Sequence, residues 1–186
     1  MIETLTPPAH YREQNAEVFY SDRPVVTLGP EDLAFLKAQA RRNPRLRSRL
    51  CAHPDPSAAV HEMMIVHHRD VYVRPHQHVA KSESFHLIEG HALVVLFDED
   101  GTLAAVIPVG DAASGRASYF RMPERAVHTF VIESEWLVFH ETTSGPFDPN
   151  GTVFAPWSPD GSDAAAAAAF LAGVRQQAQA RLDAEG

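Results

Sequence analysis

The chain has 186 residues, of which 45% are hydrophobic and 22% charged, enough for one domain with a proper core and the balance of a soluble globular protein. A formal net charge of -8 argues against the basic footprint of a nucleic-acid-binding domain, and no apolar run reaches the length of a membrane span. The single cysteine, Cys51, permits no internal disulfide, so the expected setting is cytoplasmic.

Residues 1–29 carry Pro7-Pro8 and two short apolar runs, 18–20 and 25–28, which read as edge strands or as an arm on a second subunit. Gly29-Pro30-Glu31-Asp32 signals a helix start, with proline and acids in the first turn. Leu33, Leu36 and Ala40 share a face of that helix, and Pro44 ends it. Arg41, Arg42, Arg45, Arg47 and Arg49 crowd together next, either as a solvated helix end or as an anion site.

From residue 58 to 143 the pattern changes to short β-type runs at 61–68, 71–74, 83–88, 91–97, 103–108, 118–122, 127–132 and 136–141. Runs at this spacing predict an antiparallel sandwich or barrel, with Asp98-Glu99-Asp100-Gly101 as a hairpin turn. The proline-rich stretch 146–159 is expected to drape its aromatics over the barrel as an ordered loop. Ser162 or Asp163 caps a helix to about Leu182, whose stripe of Phe170, Leu171, Val174, Ala178 and Leu182 should dock on the core or at a subunit interface. The expected organisation is an N-terminal arm and helix over 1–57, the barrel over 58–145, and the loop and final helix over 146–186.

His76 and His78 are two apart, so an extended strand presents both imidazoles on one face. Glu83 follows after four residues, giving an N, N, O donor set suited to divalent Fe, Mn, Ni, Co or Zn. Pro123 leads into His128, a further histidine at the start of an apolar run. Together His76-x-His78-x4-Glu83-x6-Gly90 and Pro123-x4-His128 resemble the two motifs of the cupin superfamily. That resemblance implies a mainly β, single-domain jelly-roll barrel (a double-stranded β-helix) in which His76, His78, Glu83 and His128 hold one divalent transition metal. Asp70 and Arg125 depart from the pattern by standing where the motifs usually place turn glycines, which bears on turn geometry rather than on the ligands.

A narrower resemblance, over roughly residues 40–160, is to the WbuC family of cupin-fold metalloproteins. It is carried by Pro44-Arg45-Leu46-Arg47, His53-Pro54, Tyr72 to His78, Leu96-Phe97-Asp98 with Gly101, Glu141 followed by Gly145-Pro146-Phe147, and Phe154 to Pro159. Members of that family are often associated with surface-polysaccharide biosynthesis. Cys51 departs from it, standing where such proteins tend to carry asparagine.

Tyr72 and Arg74 share the parity of His76 and His78 and would face inward from a regular strand, where an arginine requires an anion or a carboxylate partner. Glu141 has the parity of Leu137 and Phe139 and is either an acid/base group or the ion-pair partner of Arg74. Tyr72 and Glu141 are thus the candidate proton carriers, while Arg74, Arg45, Arg47, His53 and Lys81 are candidate substrate contacts. His67, His86, His91 and His140 are expected outside the metal site. The expected function is a metal-dependent enzyme of isomerase or epimerase type acting on a carbohydrate-derived or other anionic small molecule. The alternatives are an iron-dependent dioxygenase and a non-catalytic sugar- or metal-binding module. Expected partners are the small-molecule ligand and a second copy in a homodimer, with no nucleic acid and no membrane.

Overall fold

The computed structural model describes residues 7–185. In chain order these form β1 (Tyr11–Asn15), β2 (Val18–Ser21), α1 (Pro30–Arg42), β3 (Arg47–Cys51), β4 (Val60–His68), β5 (His76–His78), β6 (Glu83–Glu89), β7 (His91–Phe97), β8 (Leu103–Gly110), β9 (Tyr119–Met122), β10 (Val127–Ile132), β11 (Trp136–Ser144), β12 (Thr152–Phe154) and α2 (Ala164–Glu185). One sheet runs β1-β2-β3-β4-β11-β6-β9 and the other β12-β5-β10-β7-β8. The chain crosses repeatedly between them, giving the mainly β, single-domain jelly roll with a helix at each end that the sequence implied.

Alternation along the strands builds three apolar layers. Met63, Ile65, Phe85, Leu87, Leu137 and Phe139 face the barrel interior from the first sheet, and Ala92, Val94, Phe130 and Ile132 face it from the second. The intervening residues turn outward. Leu50, Val66 and Val138 are covered by Phe35, Leu36 and Ala40 of α1, while Leu93, Val95 and Val131 are covered by Val174 and Ala178 of α2. Strands buried on both faces read as continuous apolar runs, which is why 92–95 and 127–132 show no polar alternation.

The helix signals work as their chemistry requires. Asp32 accepts the Gly29 N–H at 2.7 Å at the start of α1, and Lys37 ties that helix to β6 through Glu89 at 2.6 Å. Asp163 Oδ1 accepts the N–H groups of Ala165 and Ala166 at 2.9 and 3.0 Å, capping α2. Gly90 needs its glycine: its φ is +82°, and a Cβ there would lie 2.1 Å from the Trp136 carbonyl oxygen.

Four features differ from the expected elements. Residues 71–74 are not a strand but an irregular segment that buries Val71 and Val73, and the short strand beside it is His76–His78. Residues 25–28 form no strand. The arginine-rich stretch divides: Arg41 and Arg42 close α1, while Arg47 and Arg49 lie in β3, paired parallel with β2 and antiparallel with β4. Hydrogen bonds on both edges stabilise it there, and Ser48 and Leu50 alternate with Arg47 and Arg49 across its two faces. Lastly, residues 152–154 of the proline-rich stretch are a strand, β12, paired with β5. Strands β1 to β3 continue the first sheet outward from β4.

Of the two departures from the glycine pattern, Asp70 takes an ordinary negative φ while Arg125 sits in the left-handed region at φ +63°. Its backbone N–H donates to the His78 carbonyl at 2.9 Å, which explains why the chain holds that conformation. Among the described residues no helix is long and apolar enough to cross a membrane.

Candidate metal centre

The antiparallel pairing of β5 with β10 sets His76 directly across from His128, and β12 aligns Thr152 with His78. Glu83 opens β6 in the facing sheet and reaches between the imidazoles. His78 Nε2 lies 3.0 Å from Glu83 Oε1, and His128 Nε2 lies 3.7 Å from Glu83 Oε2. The His76 ring centroid is 5.0 Å from that of His78 and 4.5 Å from that of His128. Glu83 is 6% exposed and His128 2%. Among the described residues no three such groups close into a ready coordination shell, and the short His78–Glu83 contact is a hydrogen-bonded ion-pair distance.

The outer nitrogens decide what the inner ones can do. His76 Nδ1 donates to the Arg74 carbonyl at 2.8 Å and His128 Nδ1 to the Ala126 carbonyl at 3.0 Å. A carbonyl only accepts, so these rings carry their proton on Nδ1, and burial lowers both pKa values to about 4. At neutral pH each Nε2 therefore presents a lone pair. At His128 that lone pair faces a carboxylate oxygen inside the protein, which is repulsive unless a cation lies between. His78 Nδ1 is in contact with Thr152 Oγ1 at 3.2 Å. Three imidazoles oriented from outside around one carboxylate have the chemistry of a divalent-metal site.

Residues 28–108 match a family described as a domain of unknown function (DUF6016). No curated protein matches the chain. Among solved structures it is similar to protein SO0799 of Shewanella oneidensis, at 12% identity over 55% of this chain and 66% of that one, with a TM-score of 0.45. It is also similar to oxalate decarboxylase from Bacillus subtilis, at 20% identity over 58% of this chain and 27% of that one, with a TM-score of 0.44. A third is the capsular polysaccharide assembling protein CapF from Staphylococcus aureus, at 16% identity over 57% of this chain and 29% of that one, with a TM-score of 0.46. The chain thus spans less than a third of the decarboxylase and CapF chains and just under two thirds of SO0799.

The histidines and Glu83 open onto a cavity of about 830 Å³, the size of a small-molecule pocket. Glu141 lines it from β11, and its carboxyl makes no hydrogen bond among the described residues. Burial first, and the charge of Glu83 second, push its pKa well above the ordinary carboxylate range, so it holds a proton near neutrality. Tyr72 also lines the cavity, but its hydroxyl donates to the Pro159 carbonyl at 2.8 Å.

The basic residues divide. Arg74 lines the cavity but is not paired with Glu141: it donates to Ser158 Oγ at 3.2 Å and to the Ala155 and Ser158 carbonyls at 3.3 Å, and stacks on Phe154. Arg45 and Arg47 share Glu17, at 3.2 and 2.9 Å. His53 lies off the cavity, stacked on His61 at 4.2 Å, because the chain turns away after β3. Lys81 also lies off it, over the Phe147 ring. His86 is exposed, but His67 is 7% exposed on the cavity wall, with Arg49 beside it. The sequence places His67 outside the metal site, and Arg49 only within an arginine cluster that is either a solvated helix end or an anion site. Arg47 and Arg49 alternating with Ser48 and Leu50 carry the strand signal that would have placed Arg49 on the inner face.

Proposed function

We propose that this chain is a metal-dependent enzyme of the cupin type acting on a small anionic molecule, with a carbohydrate-derived substrate as the class its sequence resemblance favours. His76, His78, Glu83 and His128 would hold one divalent transition metal. When bound, such an ion supplies Lewis-acid polarisation of a carbonyl or hydroxyl oxygen. The observation that carries the reading is the orientation of the imidazoles. Two histidines give their only ring proton to backbone carbonyls, so their remaining lone pairs are available on the side of Glu83.

Glu141 is the proton carrier in this reading. It holds a proton at its carboxyl, makes no hydrogen bond that would tie that proton up, and lines the cavity that also contains the ligand set. Tyr72 serves instead to fasten the loop after β12, since its hydroxyl proton is spent on Pro159. Arg74 does the same with the carbonyls of residues 155 and 158.

Elemental analysis of the purified protein and of His78→Ala tests the ligand set. Near-stoichiometric metal in the native chain and its loss in the variant are expected; equal metal content in both would sink the proposal. Turnover of sugars and sugar nucleotides by metal-loaded protein, compared with Glu141→Gln, tests the chemistry.

A further inference from the structure

Cation and carboxylate are unevenly matched on the β3 wall of the cavity. Arg45, Arg47 and Arg49 follow one another at alternate positions, and the one carboxylate of Glu17 takes the first two. Among the described residues Arg49 has no ion pair and its Nε is buried without a hydrogen-bond partner, and it lines the cavity. Across the strand pairing Arg47 is opposite His67 and Arg49 opposite Ile65, so Arg49 and His67 are diagonal neighbours on the inner face. Such neighbours lie about 7–8 Å apart at the backbone, within reach of long side chains. His67 is buried and lines the same cavity, and its Nδ1 also lacks a hydrogen-bond partner. These are the two buried side-chain polar atoms left unpartnered among the described residues, and they belong to adjacent residues on one wall.

A guanidinium held in a partly buried position with no carboxylate in ion-pair contact is costly, since the Glu141 carboxyl that acts on it holds a proton near neutrality, and so is a buried ring nitrogen without a partner. Both costs fall when an oxyanion enters. The planar guanidinium can offer paired N–H donors to two oxygens, and an imidazole beside it can offer a third. We propose that Arg49 and His67 form an oxyanion subsite, for a carboxylate or phosphate group of the molecule that occupies the cavity. The subsite rests on the reading of the cavity as a small-molecule site, and it moves the anion contact from Arg74, Arg45 and Arg47 to Arg49.

Its position also orients the ligand. His67 and Arg49 come from the β3–β4 side, whereas His76, His78 and His128 come from the facing sheet. An anionic group held by Arg49 leaves the rest of the molecule to extend toward Glu141 and the histidines.

The test is a titration of metal-free full-length protein with sodium phosphate and, separately, sodium acetate, at constant ionic strength. The readouts are the His67 ring resonances and binding calorimetry. The proposal expects saturable movement of the His67 signals by at least one of the two anions, and at least about tenfold weaker binding in Arg49→Met. The tighter of the two names the class. Arg49→Lys keeps the charge without the fork and provides a second variant should Arg49→Met fold poorly; weaker binding than native is expected there too. No response to either anion, or equal affinity in native protein and the Arg49 variants, overturns the subsite. Metal content of the same preparations after reloading is read separately. Native metal content in Arg49→Met with anion binding lost supports the subsite alone, whereas a native protein that takes up no metal but binds the anion discards the metal reading and leaves the subsite standing.

Discussion

Arg47 stands directly opposite His67 across the β3–β4 pairing, with its guanidinium tied to Glu17 at 2.9 Å. His67 is consequently enclosed, with the edge of its ring against Phe139 on one side and with the charges of Arg47, Arg49 and Arg45 acting on it from the other. Burial first, and those charges second, lower its pKa from 6.5 to about 3. The unfolded chain therefore binds a proton at this histidine below pH 6.5 that the folded chain refuses until about pH 3. Stability should be full above pH 6.5 and fall on acidification through that window, with this residue contributing up to about 1.4 kcal/mol per pH unit. Urea unfolding of native protein and His67→Phe at a series of pH values checks this. The variant should show the shallower acid limb, and identical slopes would refute the assignment.

Metal binding, if the four ligands act together, stabilises the folded chain by mass action. At a metal concentration about 100 times its Kd the gain is about 2.7 kcal/mol, a rise of several degrees in Tm. Thermal unfolding with added divalent metal and with chelator should differ by that amount in the native protein. The difference should vanish in Glu83→Gln, which keeps the shape of the side chain but loses its charge.

Glu141→Gln separates chemistry from assembly. The amide is nearly isosteric, and Glu141 lies outside the proposed ligand set. Metal content should stay native while turnover falls about 10²–10⁴-fold, the usual contribution of a positioned acid or base. A variant that retains native turnover would remove Glu141 from the mechanism.

Arg125 offers a test of backbone strain. A left-handed conformation costs an ordinary residue about 1–2 kcal/mol, and glycine returns part of that through the freedom of its unfolded chain. Arg125→Gly should therefore raise stability by up to about 1 kcal/mol in denaturant unfolding, while Arg125→Ala should change it little. A loss of stability in the glycine variant would contradict the strain.

The barrel was legible in the chain because strands covered on both faces leave apolar runs, and because Gly29-Pro30 and Asp163 are local signals that no distant contact overrode. The spacing of His76 and His78 likewise put two imidazoles on one strand face, and the structure gathers Glu83 and His128 beside them. What could not be read was the destination of charge. Arg74 has the parity of a cavity residue, but its partners are carbonyls more than 80 positions downstream. Arg49 was legible only as one member of a cluster that was either a solvated helix end or an anion site, because strand pairing with β2, more than 25 residues earlier, decides which side it faces. Residues 71–74 have the composition of a strand, but the Val71 N–H turns back to the His68 carbonyl and the Val73 carbonyl accepts from the Thr129 hydroxyl.

The short β5 pairs with β10 through one residue pair, His76 with His128, takes the Arg125 N–H at the His78 carbonyl, and is paired along its whole length with β12. Two of the four proposed ligands are thus set by a segment that emerges from the ribosome some 75 residues after them. During synthesis the barrel core can gather while His76 and His78 remain loosely held, and their final orientation waits for Thr152 to Phe154. Metal capture would accordingly be a late event in the life of a new chain, since a chain ending at Ser144 has β4 to β11 but lacks the strand that pairs along His76 to His78.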